Sequence, residues 1–119
     1  RLLIGATNIG LGAIVRRTHA PNAVSLSAHV DRPANGIINQ LGFIPPGLEL
    51  DGVEVSYRVP LAKARELIPV IGALPCITSS DAHFLQDIGR AATVFRMAAP
   101  TIAEIGLALR GEHGRGILA

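Results

Sequence analysis

Apolar and polar positions alternate in short bursts along this chain, and the period of the bursts changes. Ile9, Ile14, Val15 and Thr18 recur at helical spacing. They predict a helix capped by Thr7 or Asn8 and running to about Ala20, with Pro21-Asn22 as its stop. Gly10 and Gly12 weaken the interior of that helix. The run AVSLSA, 23–28, predicts a strand with His29 at its carboxyl end. DRPANG is a loop punctuated by Pro and Gly, and IINQLGF is a short helical or irregular piece closed by Pro45-Pro46-Gly47. GVEVS, 52–56, predicts a second strand in which Glu54 points away from the face of Val53 and Val55. LAKARELIPVIG predicts a helix begun near Pro60, with Leu61, Ala64, Leu67 and Ile68 on one face and Pro69 ending or kinking it. CITS predicts a third strand and AATVF, 91–95, a fourth. TIAEIGLALRG predicts a last helix, with Thr101 as cap, Glu104 at the capping-box position and Gly111 as stop.

Short apolar strands joined by long crossovers are the mark of parallel β/α units. Four strands are too few to close a barrel of the usual size. The expected fold is therefore a small open sheet or a portion of something larger.

Polar residues gather just after the predicted strands. His29, Asp31 and Arg32 follow the first, Glu54 and Ser56 lie on the second, and Asp81 and His83 follow the third. Ligands of parallel α/β folds bind outside the carboxyl ends of the strands. His29, Asp81 and His83 are thus candidate metal ligands, since carboxylate oxygen and imidazole nitrogen together suit Zn, Mn or Fe. Each has a plainer reading. Asp81 suits a turn or helix cap in SSDAH, and His29 suits a hydrogen-bonded rim residue. Arg32 is placed either to orient a phosphate or to pair with Asp31. Glu54 is a rim acid or a solvated strand residue. His19 fits a helix carboxyl end, and His113 lies in a Gly-rich tail. GEHGRG lacks the Lys and the preceding strand of a phosphate loop.

Composition narrows the field. The 119 residues, 49% of them apolar, suit one small packed domain over 1–119. Three Phe, one Tyr and no Trp argue against a stacking platform for single-stranded nucleic acid. The formal charge of +2 is spread over scattered basic residues, apart from Arg16-Arg17, which is too weak for a DNA surface. The single cysteine, Cys76, lies in an apolar strand and reads as a buried structural thiol without a neighbouring cation. It fits a reducing compartment, and a cytoplasmic location is expected. No apolar run reaches the ~18 residues of a membrane span. No signal peptide is visible, and the chain begins at Arg1 rather than Met, which leaves its true N-terminus open.

Two long motifs, SAHVDRPANGIINQLGFIP and ITSSDAHFLQDIGR, stand in that order with starts at 27 and 77. Together they resemble the PHP family, named for polymerase and histidinol phosphatase. They resemble most the bacterial phosphoesterases in which a His-Val-Asp-Arg-Pro segment precedes a Ser-Asp-Ala-His segment. The resemblance runs over nearly the whole chain, from ATNIGLGAIVRRTHA to TVF. It implies a distorted, TIM-like (β/α)7 barrel with a metal cluster at the carboxyl ends of its strands. It implies hydrolysis of phosphate mono- or diesters, with a phosphorylated small molecule or nucleotide as substrate. By the resemblance, His29 matches a late histidine ligand, and Asp81 and His83 match the final Asp-x-His. Arg32, and behind it Arg90, are candidates for neutralising phosphate oxygens, as inferred from charge and position.

The family's first motif, a His-x-His, is absent from these 119 residues, as are the histidine and glutamate ligands expected between it and His29. The chain thus corresponds to a partial PHP domain, its C-terminal portion. Metal binding by this portion alone is expected to be weak and hydrolysis slow or absent. The competing expectation is a non-catalytic half-barrel module, stabilised by self-association or by its missing half, because cut strand edges and an exposed apolar sheet face favour association. An amidohydrolase-like barrel is a third reading, which the HVDRP and SSDAH contexts disfavour.

Overall fold

A computed structural model describes residues 7–19 and 23–118. Three strands, β1 (Leu26–Ser27), β2 (Gly52–Val55) and β3 (Cys76–Thr78), form a parallel sheet in the order β1-β2-β3. Leu26 pairs with Gly52, and Val53 with Cys76. The expected β/α units are therefore present, and the carboxyl ends of all three strands share one edge. β2 lies between its neighbours. Val53 and Val55, two residues apart, point to one face and are fully buried. They pack with Val30, Ala64, Ile71 and Cys76 as the core. Gly52 is dictated by space: a Cβ there would meet the Pro75 carbonyl oxygen at 2.9 Å and Leu26 Cδ2 at 3.1 Å.

Helix α1 (Leu11–His19) begins later than the capping residues predict. Thr7 Oγ1 instead makes a local turn with Ile9, and the Gly10 carbonyl accepts from Ala13 and Ile14. Its predicted end at Ala20, with Pro21-Asn22, lies outside the described residues. Of its expected inner face only Val15 is buried. His19 Nε2 stands 3.0 Å from Asp51 Oδ2, and the same oxygen accepts from Ser25 N, so the helix end is tied to the start of β1. Helix α2 (Ile37–Leu41) is the crossover from β1 to β2.

The crossover from β2 to β3 corrects the expectation of one continuous helix. It is a 3-10 turn (Leu61–Lys63), a single α-turn α3 (Ala64–Leu67) and a second 3-10 turn (Pro69–Ile71). Pro69 has no N–H to donate and excludes Ile68 from helical backbone, which sits at φ −132, ψ 72. Ala64 is buried as expected, whereas Leu67 is turned out to solvent.

The predicted fourth strand does not join the parallel sheet. β4 (Val94–Arg96) pairs antiparallel with β5 (Gly116–Leu118), a strand the sequence reading did not foresee, and α4 (Ile102–Arg110) lies between them. Thr93, just before β4, explains the separation. Its Oγ1 accepts from Thr78 N and donates to the Thr78 carbonyl, both at 2.8 Å, closing the edge of β3 where a fourth strand would pair. Helix α4 begins and ends where expected. Thr101 Oγ1 accepts from Glu104 N, and Gly111 closes the helix at φ 69. The capping box is only half made, because the Glu104 carboxylate takes Ala98 N and Arg115 instead. GEHGRG is the turn that feeds β5.

Cys76 is buried, and burial pushes its thiol up, against the weaker opposing pull of the Arg65 guanidinium. Burial thus disfavours the thiolate, the reactive form, although a cation does lie nearby. Among the described residues, no helix is long and apolar enough to cross a membrane.

Candidate functional site at the carboxyl edge of the sheet

Every polar residue singled out after a strand lies where the parallel sheet ends, and backbone bonds hold the loops there. Val30 N donates to the Glu54 carbonyl at 2.8 Å, drawing the turn after β1 over the end of β2. Gly36 permits the close return of that loop, since a Cβ would sit 3.1 Å from the His29 carbonyl and 3.3 Å from that of Arg32. His29 and Asp81 both have left-handed backbone, φ 29 and φ 45. For any side chain but glycine's this region carries a cost, smaller for Asn, Asp and His than for others, and such strain gathers at functional sites.

Cross-strand contacts join the three loops. Asp31, after β1, accepts from both the amide and the hydroxyl of Ser56, after β2. The Glu54 carboxylate accepts from the hydroxyl of Ser79, after β3. Arg32 Nη2 approaches Asp81 Oδ2 at 2.7 Å. The sequence offered Asp31 as the partner of Arg32; the structure gives it Asp81, because Ser56 already occupies Asp31. Neither Asp31 nor Glu54 is a solvated surface acid.

Two of the proposed ligands hold buried polar atoms with no hydrogen-bond partner: His29 Nδ1 and Asp81 Oδ2. Asp81 Oδ2 does have a charge partner, Arg32 Nη2 at 2.7 Å, so of the two atoms only His29 Nδ1 is without any partner. An imidazole nitrogen left bare in this way, like a carboxylate oxygen, has the chemistry of a metal ligand. His83 is exposed, and its Nδ1 lies 2.9 Å from the Asp81 carbonyl. A carbonyl only accepts, so Nδ1 carries the proton and Nε2 is the nitrogen with a free lone pair. Among the described residues, no group of three or more His, Cys, Asp and Glu is arranged to hold a metal ion.

Sequence reasoning missed one part of this edge. Tyr57 and Arg58, immediately after β2, meet Arg90 from the segment after β3. Arg90 lies 4.9 Å from the Tyr57 ring centre and Arg58 5.6 Å. The Arg58 Nε–H directed at the phenol oxygen, with the charges of Arg58 and Arg90, holds the Tyr57 phenol below its usual range. Tyr57 is the sole tyrosine in the chain. Its place two residues beyond a strand end was the available signal.

Residues 72–112 match the model of a family described as PHP-associated. No curated protein and no solved structure matches the chain. The matched stretch runs from the turn before β3, through Asp81 and His83, to the end of α4. Over residues 72–112 the chain is thus similar to a PHP-associated family, consistent with the C-terminal part of a PHP domain.

Proposed function

We propose that this chain supplies the late half of a metal-dependent phosphoesterase site of the PHP type. The observation that carries the reading is His29 Nδ1, buried and without a partner, on the carboxyl edge of a parallel sheet that also presents Asp81. The PHP-associated match over 72–112 supports it. On this reading the three parallel strands are part of a TIM-like barrel. His29 and Asp81, joined by Nε2 of His83, would hold a divalent ion, Zn, Mn or Fe. Such an ion, when bound, supplies Lewis-acid polarisation of a phosphoryl oxygen and a water of lowered pKa.

The chain's own residues then divide the work. His29 and Asp81 are held in place by strained backbone, so they need little rearrangement to ligate. Arg32 has five N–H donors, more than one carboxylate oxygen can use, and retains donors for a phosphate oxygen of the substrate. Asp31 and Glu54 are engaged by Ser56 and Ser79, which fixes the three loops relative to one another.

The decisive experiment is a calorimetric titration with Mn2+ or Zn2+, alongside hydrolysis of a generic phosphoester. Weak single-site binding, abolished by His29→Ala and by Asp81→Ala, is expected, with slow or no turnover. Binding unchanged in both variants overturns the ligand assignment. A non-catalytic module, assembled with a second copy or with its missing half, is the competing reading. It is favoured by the exposed apolar side chains Phe84, Leu85 and Ile88, which follow His83. Absence of metal binding in the wild-type chain would select it.

A further inference from the structure

The carboxyl edge holds two guanidinium groups, Arg58 and Arg90, of which the sequence singled out only Arg90, behind Arg32, for phosphate oxygens. Arg58 makes no ion pair among the described residues. Its one side-chain hydrogen bond is the long contact, 3.4 Å, from Nε to the Tyr57 oxygen. Arg90 shares one Nη with Asp87 at 2.9 Å. Both lie within cation–π range of a single ring. Two like charges beside one half-buried ring repel each other; Asp87 pairs with Arg90, while Asp31, whose charge reaches Arg58, is itself held by Ser56. A ligand with two negative charges and several acceptor oxygens would remove that repulsion. It would also use the planar N–H forks of both groups, which the ring already holds in place.

Position supports the same conclusion. Tyr57 and Arg58 follow β2, and Arg90 belongs to the loop that carries Asp81 and His83, so the cluster stands on the edge where parallel sheets bind ligands. Both arginines are exposed and free to receive an anion from solvent.

We propose that Arg58 and Arg90, positioned by the Tyr57 ring, form an anion subsite that takes one phosphate-class dianion. Binding of the free anion stands independently of metal chemistry. Its role as the seat of a substrate phosphate rests on the hydrolytic reading above.

The chain contains its own reporter, because Tyr57 is the only tyrosine and there is no tryptophan. Tyrosine emission of the full chain is followed during titration with inorganic phosphate, then with glycerol phosphate, in EDTA and at constant ionic strength against chloride. The expected result is a saturable change with phosphate and none with chloride. The apparent affinity should fall at least tenfold, about 1.4 kcal/mol, in Arg58→Ala and in Arg90→Ala, and less in Arg58→Lys. Far-UV circular dichroism identical to wild type confirms that the variants are folded. A response that does not saturate, that chloride reproduces, or that both alanine variants retain overturns the subsite. Tighter binding of glycerol phosphate assigns it to the ester, and tighter binding of inorganic phosphate to the free ion; either supports it. A phosphate response without metal binding leaves the subsite standing and the hydrolytic reading fallen, and metal-dependent hydrolysis with a silent Tyr57 does the reverse.

Discussion

The carboxyl edge of the parallel sheet and the unit of α4, β4 and β5 are built from the same kinds of residue to opposite ends. In the α4 unit almost every local requirement is met. Thr101 caps the helix, Gly111 takes the left-handed position suited to glycine, and Arg115 grips Glu104 through two nitrogens at 2.9 and 3.1 Å. His113, in the turn before β5, is that unit's one left-handed residue other than glycine, whereas at the sheet edge both His29 and Asp81 are left-handed and His29 Nδ1 is buried without a partner. One region is organised for stability. The other retains more backbone strain and a buried imidazole nitrogen without a partner.

Four measurements would break or sharpen this contrast. The largest effect belongs to the α4 unit. Leu109 is buried, and its Cδ2 lies 3.5 Å from where a Gly52 Cβ would stand, so it seats α4 against the sheet. Leu109→Ala should cost about 2–5 kcal/mol in denaturant unfolding. A cost well below that would mean α4 does not share the core. Next, Thr101→Ala should cost about 1 kcal/mol through the lost cap, read as a fall in the urea midpoint with unchanged slope.

At the sheet edge the sign of the argument changes. Asp81→Gly relieves left-handed strain while losing a partly exposed ion pair to Arg32. The two effects should nearly cancel, leaving stability within about 0.5 kcal/mol of wild type. A loss as large as that of Leu109→Ala would show Asp81 to be a structural residue and erase the contrast.

The smallest effect concerns acidity. The Arg115 hydrogen bonds, then the Ala98 amide, hold the Glu104 carboxyl below its usual range. A depressed folded-state pKa gives stability that is present above the unfolded value and lost as pH falls through the folded one. Amide exchange at Ala98 should therefore accelerate only on acidification below the ordinary carboxylate range. Glu104→Gln should flatten that dependence.

Much of the contrast was legible in the sequence, for identifiable reasons. The β2 valines and the Thr101 and Gly111 boundaries follow from period and capping, which depend on neighbours a few residues away. The placement of His29, Asp81 and His83 after strands followed from the same local reading. What failed was longer in range or finer in detail. Pro69 broke a helix whose apolar spacing otherwise ran through it. β5 is three residues behind a Gly-rich turn, too short to declare itself. The partner of Arg32 and the meeting of Arg90 with Tyr57 depend on contacts between loops 33 and more residues apart, which no local pattern encodes.

The hydroxyl of Thr93 has one more consequence. By satisfying both backbone groups of Thr78, it acts as a stopper on the β3 side. On the far side of β1, no strand is paired among the described residues. The sheet is thus like a filament with a blocked end and a live end. Recruitment of any further strand is directional, and the first residues to meet the newcomer are those of β1, immediately before His29.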